Sequence, residues 1–421
     1  MSRRSSNREL PHLEPIEKIE LSDKNIGWRL AFFILFVVIA ASAFTSCVNS
    51  FFSKEPGWYQ IETNSSDEAH CGNEFVFMYN LGESGDATKE NRALTILYTE
   101  ACQNAHKLFH NKELFEGVNN ICYINQHPNE VIEVDAGLYE AFSVIDAYDN
   151  RNLYMAPVYN QYDEIFYCDD DSQLVNYDPR LSEEVAADYA EIATFANDAD
   201  MVDLKLLGDN KIQLYVSEEY LAYAEENYIT DFIDFFWMKN AFVADYLAET
   251  MIDRGYTHGT ISSFDGFIRA MDSSDSSYSF NIFNRVDLTL YQVAVMQYTG
   301  PQSLVYFRDH MMSDMDWRHY YVLSNGEVRT AYVDVSDGVS KAATDSFYAY
   351  GKDMSCAEVL MQALPVYVAD ELSVEAVAQL ADAGVYSIYC EDSVIKYNDT
   401  SVTFADVLNE DGVKYTTELV K

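Results

Sequence analysis

The chain has 421 residues, 48% of them apolar, which is enough to bury a large core and excludes disorder for its bulk. Its 27 Lys and Arg stand against 69 Asp and Glu, a formal net charge of −42. A field of that sign excludes nucleic acid as a partner, and any nucleotide substrate would need a cation beside it.

The first 29 residues are largely polar, carry Arg3, Arg4, Arg8, Lys18, Lys24 and Arg29, and give way to the uncharged run LAFFILFVVIAASAFTSCV over 30–48. A run of this length matches one helical crossing of a hydrocarbon core about 30 Å thick. Basic residues gather before it and only Lys54 follows closely. This predicts a cytoplasmic segment over 1–29, a single transmembrane anchor over 30–48 and an extracytoplasmic remainder at the cell membrane. A cleaved signal peptide is the competing reading, disfavoured by the long leader and the poor FTSC cleavage box. Setting aside the six basic and five acidic side chains of 1–29 leaves 21 against 64, so the outer part is near −43.

Residues 49–72 mix polar and turn-forming types and read as a tether. From 73 to 421 there is no linker composition and no internal repeat, so this stretch reads as one domain. NEFVFMYNLG (73–82) is strand-like, and 88–110 has the apolar period of a helix. Asp135, Ser182 and Ser217 are placed to cap helices, because a side-chain oxygen there satisfies an amide of the first turn. VDLKLLGDNKIQLYV alternates about Gly-Asp-Asn, and YYVLSNGEVRTAYVD turns at Asn325-Gly326, two hairpin signals.

Between these hairpins, Ala241, Ala244, Leu247, Ala248 and Met251 form one apolar stripe over 239–254, closed by Gly255. YTHGTISS then runs as a strand into Phe264-Asp265-Gly266. Lys239 stands in the first turn, where a cation opposes the helix dipole and needs an anionic partner. Later, SCAEVLMQAL places Glu358 and Gln362 four apart on one face, two hard oxygen ligands of the kind Mg²⁺ prefers, or else a solvated pair. SVEAVAQLADAG is a helix closed by Gly384, followed by strands VYSIYC and SVIKY. Hairpins mixed with non-alternating helices give an α+β class.

Several weaker signals fit ordinary structure better. Seven cysteines, at 47, 71, 102, 122, 168, 356 and 390, include no C-x-x-C pair; their pairing stays open, and each reads first as a small buried apolar group. Cys102, His106 and His110 share a helix face but lack a fourth metal ligand. The acidic runs CDDDSQ and MDSSDSS do not follow a calcium loop, and Ser262, Ser263 and His258 lack a nucleophile elbow.

The order of the pieces resembles the FAD:protein FMN transferase (ApbE-like) family. In that family an aspartate leads into K-G-x-x-x-D, and a strand then closes on N-x-G-G. Asp234, Lys239 and Asp245 look like the charged positions and Ser263 to Gly266 like the turn, with Asp245 one residue late and Asn240 and Asp265 at two family glycines. VNNICYINQHPNEVIEVDAGLYEAF, RNLYMAPVYNQYDEIF and NGEVRTAYVDVSDG line up with further family segments. The last keeps Asp334 and Gly338 but has Ala331, Val335 and Asp337 where the family has histidine, proline and threonine. SCAEVLMQAL resembles the metal-binding helix.

The resemblance implies a membrane-anchored, Mg²⁺-dependent enzyme that passes FMN from FAD to a Thr or Ser of an acceptor flavoprotein. Lys239 and Asp245 would be catalytic, and Asp234, Ser263, Asp265, Gly266, Asp334 and Gly338 would bind the cofactor. Glu358 and Gln362 would hold the metal. The departures imply the alternative, a catalytically inactive relative serving as a flavin- or protein-binding surface module.

Overall fold

Nine strands of one sheet follow each other in space in the order in which they occur along the chain: Gly57–Ile61, Phe75–Leu81, Gly259–Ser263, Phe267–Ala270, Gln302–Arg308, Ser346–Gly351, Val385–Glu391, Val394–Tyr397 and Thr416–Leu419. All neighbours are antiparallel except the last pair. The computed structural model describes residues 53–420 apart from 65–69, 84, 273–276, 287, 288, 313 and 411. The expected anchor at 30–48 lies outside the described residues; among those described, no helix is long and apolar enough to cross a membrane.

Both faces of the sheet are covered, which the strand sequences explain. In Gln302–Arg308 every position is buried, as expected of a strand with a packed layer on each side. Val305 and Phe307 face the larger core with the helices, while Leu304 and Tyr306 face a second core. That second core is closed by the hairpin Ser277–Val286 with Thr289–Thr299, which supplies Ile282, Val293, Ala294 and Met296. Phe75–Leu81 alternates buried and half-buried residues, the period-two pattern of a strand.

The helices lie where their caps predict. Asp135, Ser182 and Ser217 accept amide hydrogen bonds at the starts of Ala136–Ala147, Glu183–Ala196 and Glu218–Glu226. The expected helix over 88–110 is Ala87–Leu108, with Asp86 as its cap. Lys239–Ile252 is the central helix, packed against Ala87–Leu108, Cys356–Tyr367 and the strand pair Gly259–Ser263 and Phe267–Ala270. Its small alanines are fully buried, which lets these neighbours approach closely. The hairpin Val202–Gly208 with Lys211–Val216 turns through Asp209 and Asn210, both left-handed at φ 51° and 58°, the conformation a two-residue type I′ turn demands.

One expectation is corrected. Residues 49–72 are not all tether, because Gly57–Ile61 pairs with Phe75–Leu81 and forms the edge of the sheet. Ile61 is buried in the larger core and Tyr59 packs against it, so the alternating apolar residues of GWYQI, rather than the turn formers around them, decide the local structure.

Candidate functional site

The turn at 263–266 is held from three directions. Gly266 has φ 111°, and a Cβ there would lie 2.5 Å from the Tyr306 carbonyl oxygen, so no other residue fits. The Phe264 amide donates to the Glu74 carbonyl at 3.1 Å, and the Ser263 hydroxyl accepts from the Phe267 amide at 2.9 Å. Arg308, only 1% exposed, donates to the Phe264 and Asp265 carbonyls at 3.1 and 3.3 Å and pairs with Asp316 at 3.2 Å.

Asp265 points inward from this turn. One carboxylate oxygen accepts from Asn240 Nδ2 at 2.9 Å, and the other, Oδ1, is buried with no hydrogen-bond partner among the described residues. Burial pushes its pKa up to about 6; the nearby Ser263 hydroxyl opposes this and the Glu74 carboxylate adds to it. Asp265 lines a small void with Trp237, His319, Ala331 and Tyr332. His319 is pushed down to about 4 by burial and then by Arg308, so it is neutral.

Lys239 extends into a separate cavity of about 310 Å³ lined also by Glu74, His106, His110, Asp234 and Arg318. Its ammonium pairs with Glu74 at 3.1 Å. Burial alone would lower the Lys239 pKa, but the Glu74 carboxylate outweighs it and holds the lysine above its ordinary value. Burial would likewise raise Glu74, and Lys239 reverses the direction. Asp234 is buried; it accepts from Asn111 Nδ2 at 2.5 Å and the Phe236 amide at 3.0 Å. Burial raises its pKa.

Asp245, on the same helix as Lys239, faces another cleft, of about 420 Å³, whose lining includes Asp135, Glu140, Glu249, Asp253 and Glu358. Its two oxygens accept from the amides of Cys356 and Ala357, each at 2.8 Å. The next amide, Glu358, donates to the Ser355 hydroxyl at 3.1 Å, and the Glu358 carboxylate returns the contact to the Ser355 amide at 2.7 Å, a capping box. The start of Cys356–Tyr367, with its positive dipole end, is therefore filled by side chains of the chain itself. Burial pushes Asp245 up to about 6, against the pull of Arg269 and the two amides.

Glu358 and Gln362 share a helix but do not converge. Glu358 turns toward Ser355, whereas Gln362 Nε2 donates to the Tyr148 hydroxyl and to the Glu358 carbonyl, both at 3.2 Å. Among the described residues no group of three His, Cys, Asp or Glu is arranged to hold a metal ion. Glu358 and Gln362 therefore do not form the pair of Mg²⁺ ligands that the resemblance implies.

Asp334 and Gly338 lie elsewhere again. Asp334 lines a third cleft, of about 550 Å³, with Arg151 and Lys341. Lys341 is bound by Asp334 at 2.7 Å and by Asp337 at 2.8 Å. Arg151 donates to the Ala196 and Val202 carbonyls. Gly338, at φ 72°, packs on Tyr189, where a Cβ would lie 2.7 Å from the ring stem. Ala331 is buried and donates its amide to the His319 carbonyl.

The ten residues singled out by sequence thus fall into three places: Lys239 and Asp234 in a cavity linked through Glu74 to the neighbouring 263–266 turn, Asp245 with Glu358 and Gln362, and Asp334 with Gly338. Glu74, Arg269 and Arg308, the counter-charges that define the first two, come from distant strands and turns with no motif. The available signal for Arg308 is a charge closing the otherwise apolar strand LVYFR.

With this arrangement in view, the chain is similar to solved flavin transferases. The ApbE protein of Thermotoga maritima shares 12% identity at a TM-score of 0.52, covering 83% of this chain and 97% of that one. The flavin transferase ApbE of Vibrio cholerae shares 9% identity, also at 0.52 and over 83% and 97%. The chain has an ApbE-like α+β fold. The sequence itself matches no protein-family model and no curated protein.

Proposed function

We propose that this chain is a membrane-anchored, ApbE-fold surface module that binds a flavin or a protein partner and does not itself turn over FAD. The observation that carries this reading is the internal occupancy of the helix start at Cys356. Such a terminus is a ready anion site, and here the Asp245 carboxylate and Ser355 take its first three amides.

The electrostatics agree. Splitting FAD at its pyrophosphate builds negative charge on phosphate oxygens, which cations must meet. Lys239, Lys341 and Arg269 are each held by carboxylates, and the 420 Å³ cleft is lined by acids. Ala331 supplies no proton acceptor. The anchor at 30–48 would hold the domain outside the cell; labelling intact cells with an impermeant amine reagent checks this, and an unlabelled domain overturns it.

The transferase reading, with FAD and Mg²⁺ as cofactors and a flavoprotein as acceptor, keeps one observation in its favour. Asp245 and Glu358, from two family-like segments far apart in sequence, line one cleft, and Asp245 has a pKa near 6. One assay separates the readings. The full chain is incubated with FAD, Mg²⁺ and an acceptor flavoprotein, and AMP release and covalent flavin fluorescence are followed. We expect neither; AMP release abolished by Asp245→Asn would establish the transferase.

A further inference from the structure

Cys71 precedes the single 3-10 turn Gly72–Glu74, and Cys102 lies on the Ala87–Leu108 helix. Both are buried, at 2% and 0% exposure. The Cys71 amide donates to the Cys102 carbonyl at 3.3 Å, and the Cys71 thiol reaches the same carbonyl at 3.4 Å. Main chain and thiol of Cys71 thus both meet the Cys102 main chain, the close approach of two backbones that a disulfide requires. Both thiols are free in this structure, and the Cys102 thiol is the first of the influences, ahead of burial, that hold Cys71 well above its ordinary pKa. Of the other described cysteines, Cys122 contacts Gln126, Cys168 the Glu164 carbonyl and Cys356 the Ile268 carbonyl, while Cys390 packs against the second core.

We propose that Cys71 and Cys102 are joined by a disulfide in the mature protein. The oxidant is a small-molecule or protein disulfide. The Cys71 thiolate attacks one of its sulfurs and expels a thiolate; the Cys102 thiolate then attacks the Cys71 sulfur of the mixed disulfide and expels the second. Two protons leave the cysteines, and the two electrons end on the former oxidant. Because both thiols are buried in the folded chain, exchange belongs to the folding stage, and the finished bond is shielded from reductant. The crosslink fastens the turn that presents Glu74 to Lys239 and whose Glu74 carbonyl holds the Phe264 amide. It rests on the outward placement proposed above only for where the oxidant is met.

The test refolds the full reduced chain, in detergent, with glutathione disulfide and glutathione, then alkylates and digests it without reduction for mass spectrometry. The expected product is a Cys71 peptide linked to a Cys102 peptide, about 2 Da below the sum of the two thiol peptides, and lost on reduction. Reduction should lower the melting temperature by about 3 °C or more, with no such response in the Cys71→Ser/Cys102→Ser double variant. Alkylation of both cysteines after refolding, or a link from Cys71 to any other cysteine, overturns the pairing whatever the compartment. A link found after refolding but absent from chain isolated from cells overturns its presence in the mature protein and counts against the outward placement, leaving the flavin assay to judge the function separately.

Discussion

Asp245 and Cys356 are bound side chain to main chain across two helices: one oxygen of the Asp245 carboxylate accepts from the Cys356 amide at 2.8 Å while its other oxygen takes the Ala357 amide. A carboxylate from Lys239–Ile252 thus caps Cys356–Tyr367, joining by a structural bond a segment that looks catalytic in sequence and one that looks metal-binding.

Removing that cap has a defined cost. Asp245→Ala should lower the unfolding free energy by about 2 to 3 kcal/mol, combining the lost cap with two buried amides left unpaired. Urea denaturation measures it. A loss under about 0.5 kcal/mol, in the range of a neutral surface substitution, would mean that the contact does not hold the helices together.

The turn can be tested by strain alone. Gly266→Ala must adopt φ 111° and push a methyl toward the Tyr306 carbonyl, whereas Gly300→Ala meets nothing within 4 Å and carries only the strain of φ 82°. The first should destabilise by about 2 kcal/mol or more and the second by about 1 kcal/mol. Equal losses in thermal melts would show that the close approach at 266 is relaxed in solution.

Arg308 fixes the same turn electrostatically. It is 1% exposed and faces Asp316, itself buried. Arg308→Ala removes the ion partner of that buried carboxylate and should cost about 3 to 5 kcal/mol. A midpoint shift in urea that, multiplied by the measured slope, comes to less than about 1 kcal/mol would contradict this.

Asp265 and Asp245 give stability an inverse dependence on pH. Their folded pKa values, both raised to about 6, exceed the value of about 3.9 in an open chain. Between those limits the folded state binds more protons, so these two groups make the protein less stable as pH rises from about 4 to 6, and the penalty persists above. Asp265→Asn removes one such charge while keeping an acceptor for Asn240. It should raise stability at pH 7 by about 1 to 2 kcal/mol and flatten the slope between pH 4 and 6. Denaturation at pH 5 and pH 7 checks it; a less stable variant at pH 7 would mean that the Asp265 charge is compensated.

Much of the fold is legible in the sequence because it depends on near neighbours. Asp135, Ser182 and Ser217 cap the next turn of their own chain, and Asp209-Asn210 bends its own hairpin. The alanine stripe of Lys239–Ile252 announces a buried helix, and the chain order of family-like segments announces the ApbE-like fold. The edge strand Gly57–Ile61 escapes because five residues among turn formers carry too little period. What the site does escapes for a different reason. Lys239 reads as a cation in want of an anion that the sequence does not name until Glu74 folds beside it, and Asp245 reads as catalytic until the Cys356 and Ala357 amides arrive from more than a hundred residues away. No spacing rule reports a counter-charge on another strand.

The order of the nine-stranded sheet has a consequence for how the molecule assembles. From Phe267–Ala270 onward each strand can dock on the one before it within a short stretch of chain or around a single inserted unit. The join between Phe75–Leu81 and Gly259–Ser263 is different, since the whole of 82–258, with its helices and three-stranded sheet, intervenes. It is the longest join in the sheet and so carries the largest loop-closure entropy among them. Until it forms, the N-terminal hairpin waits as an open edge, and the seam at Phe77 and Ile261 is where a chaperone or a protease would find this protein incomplete.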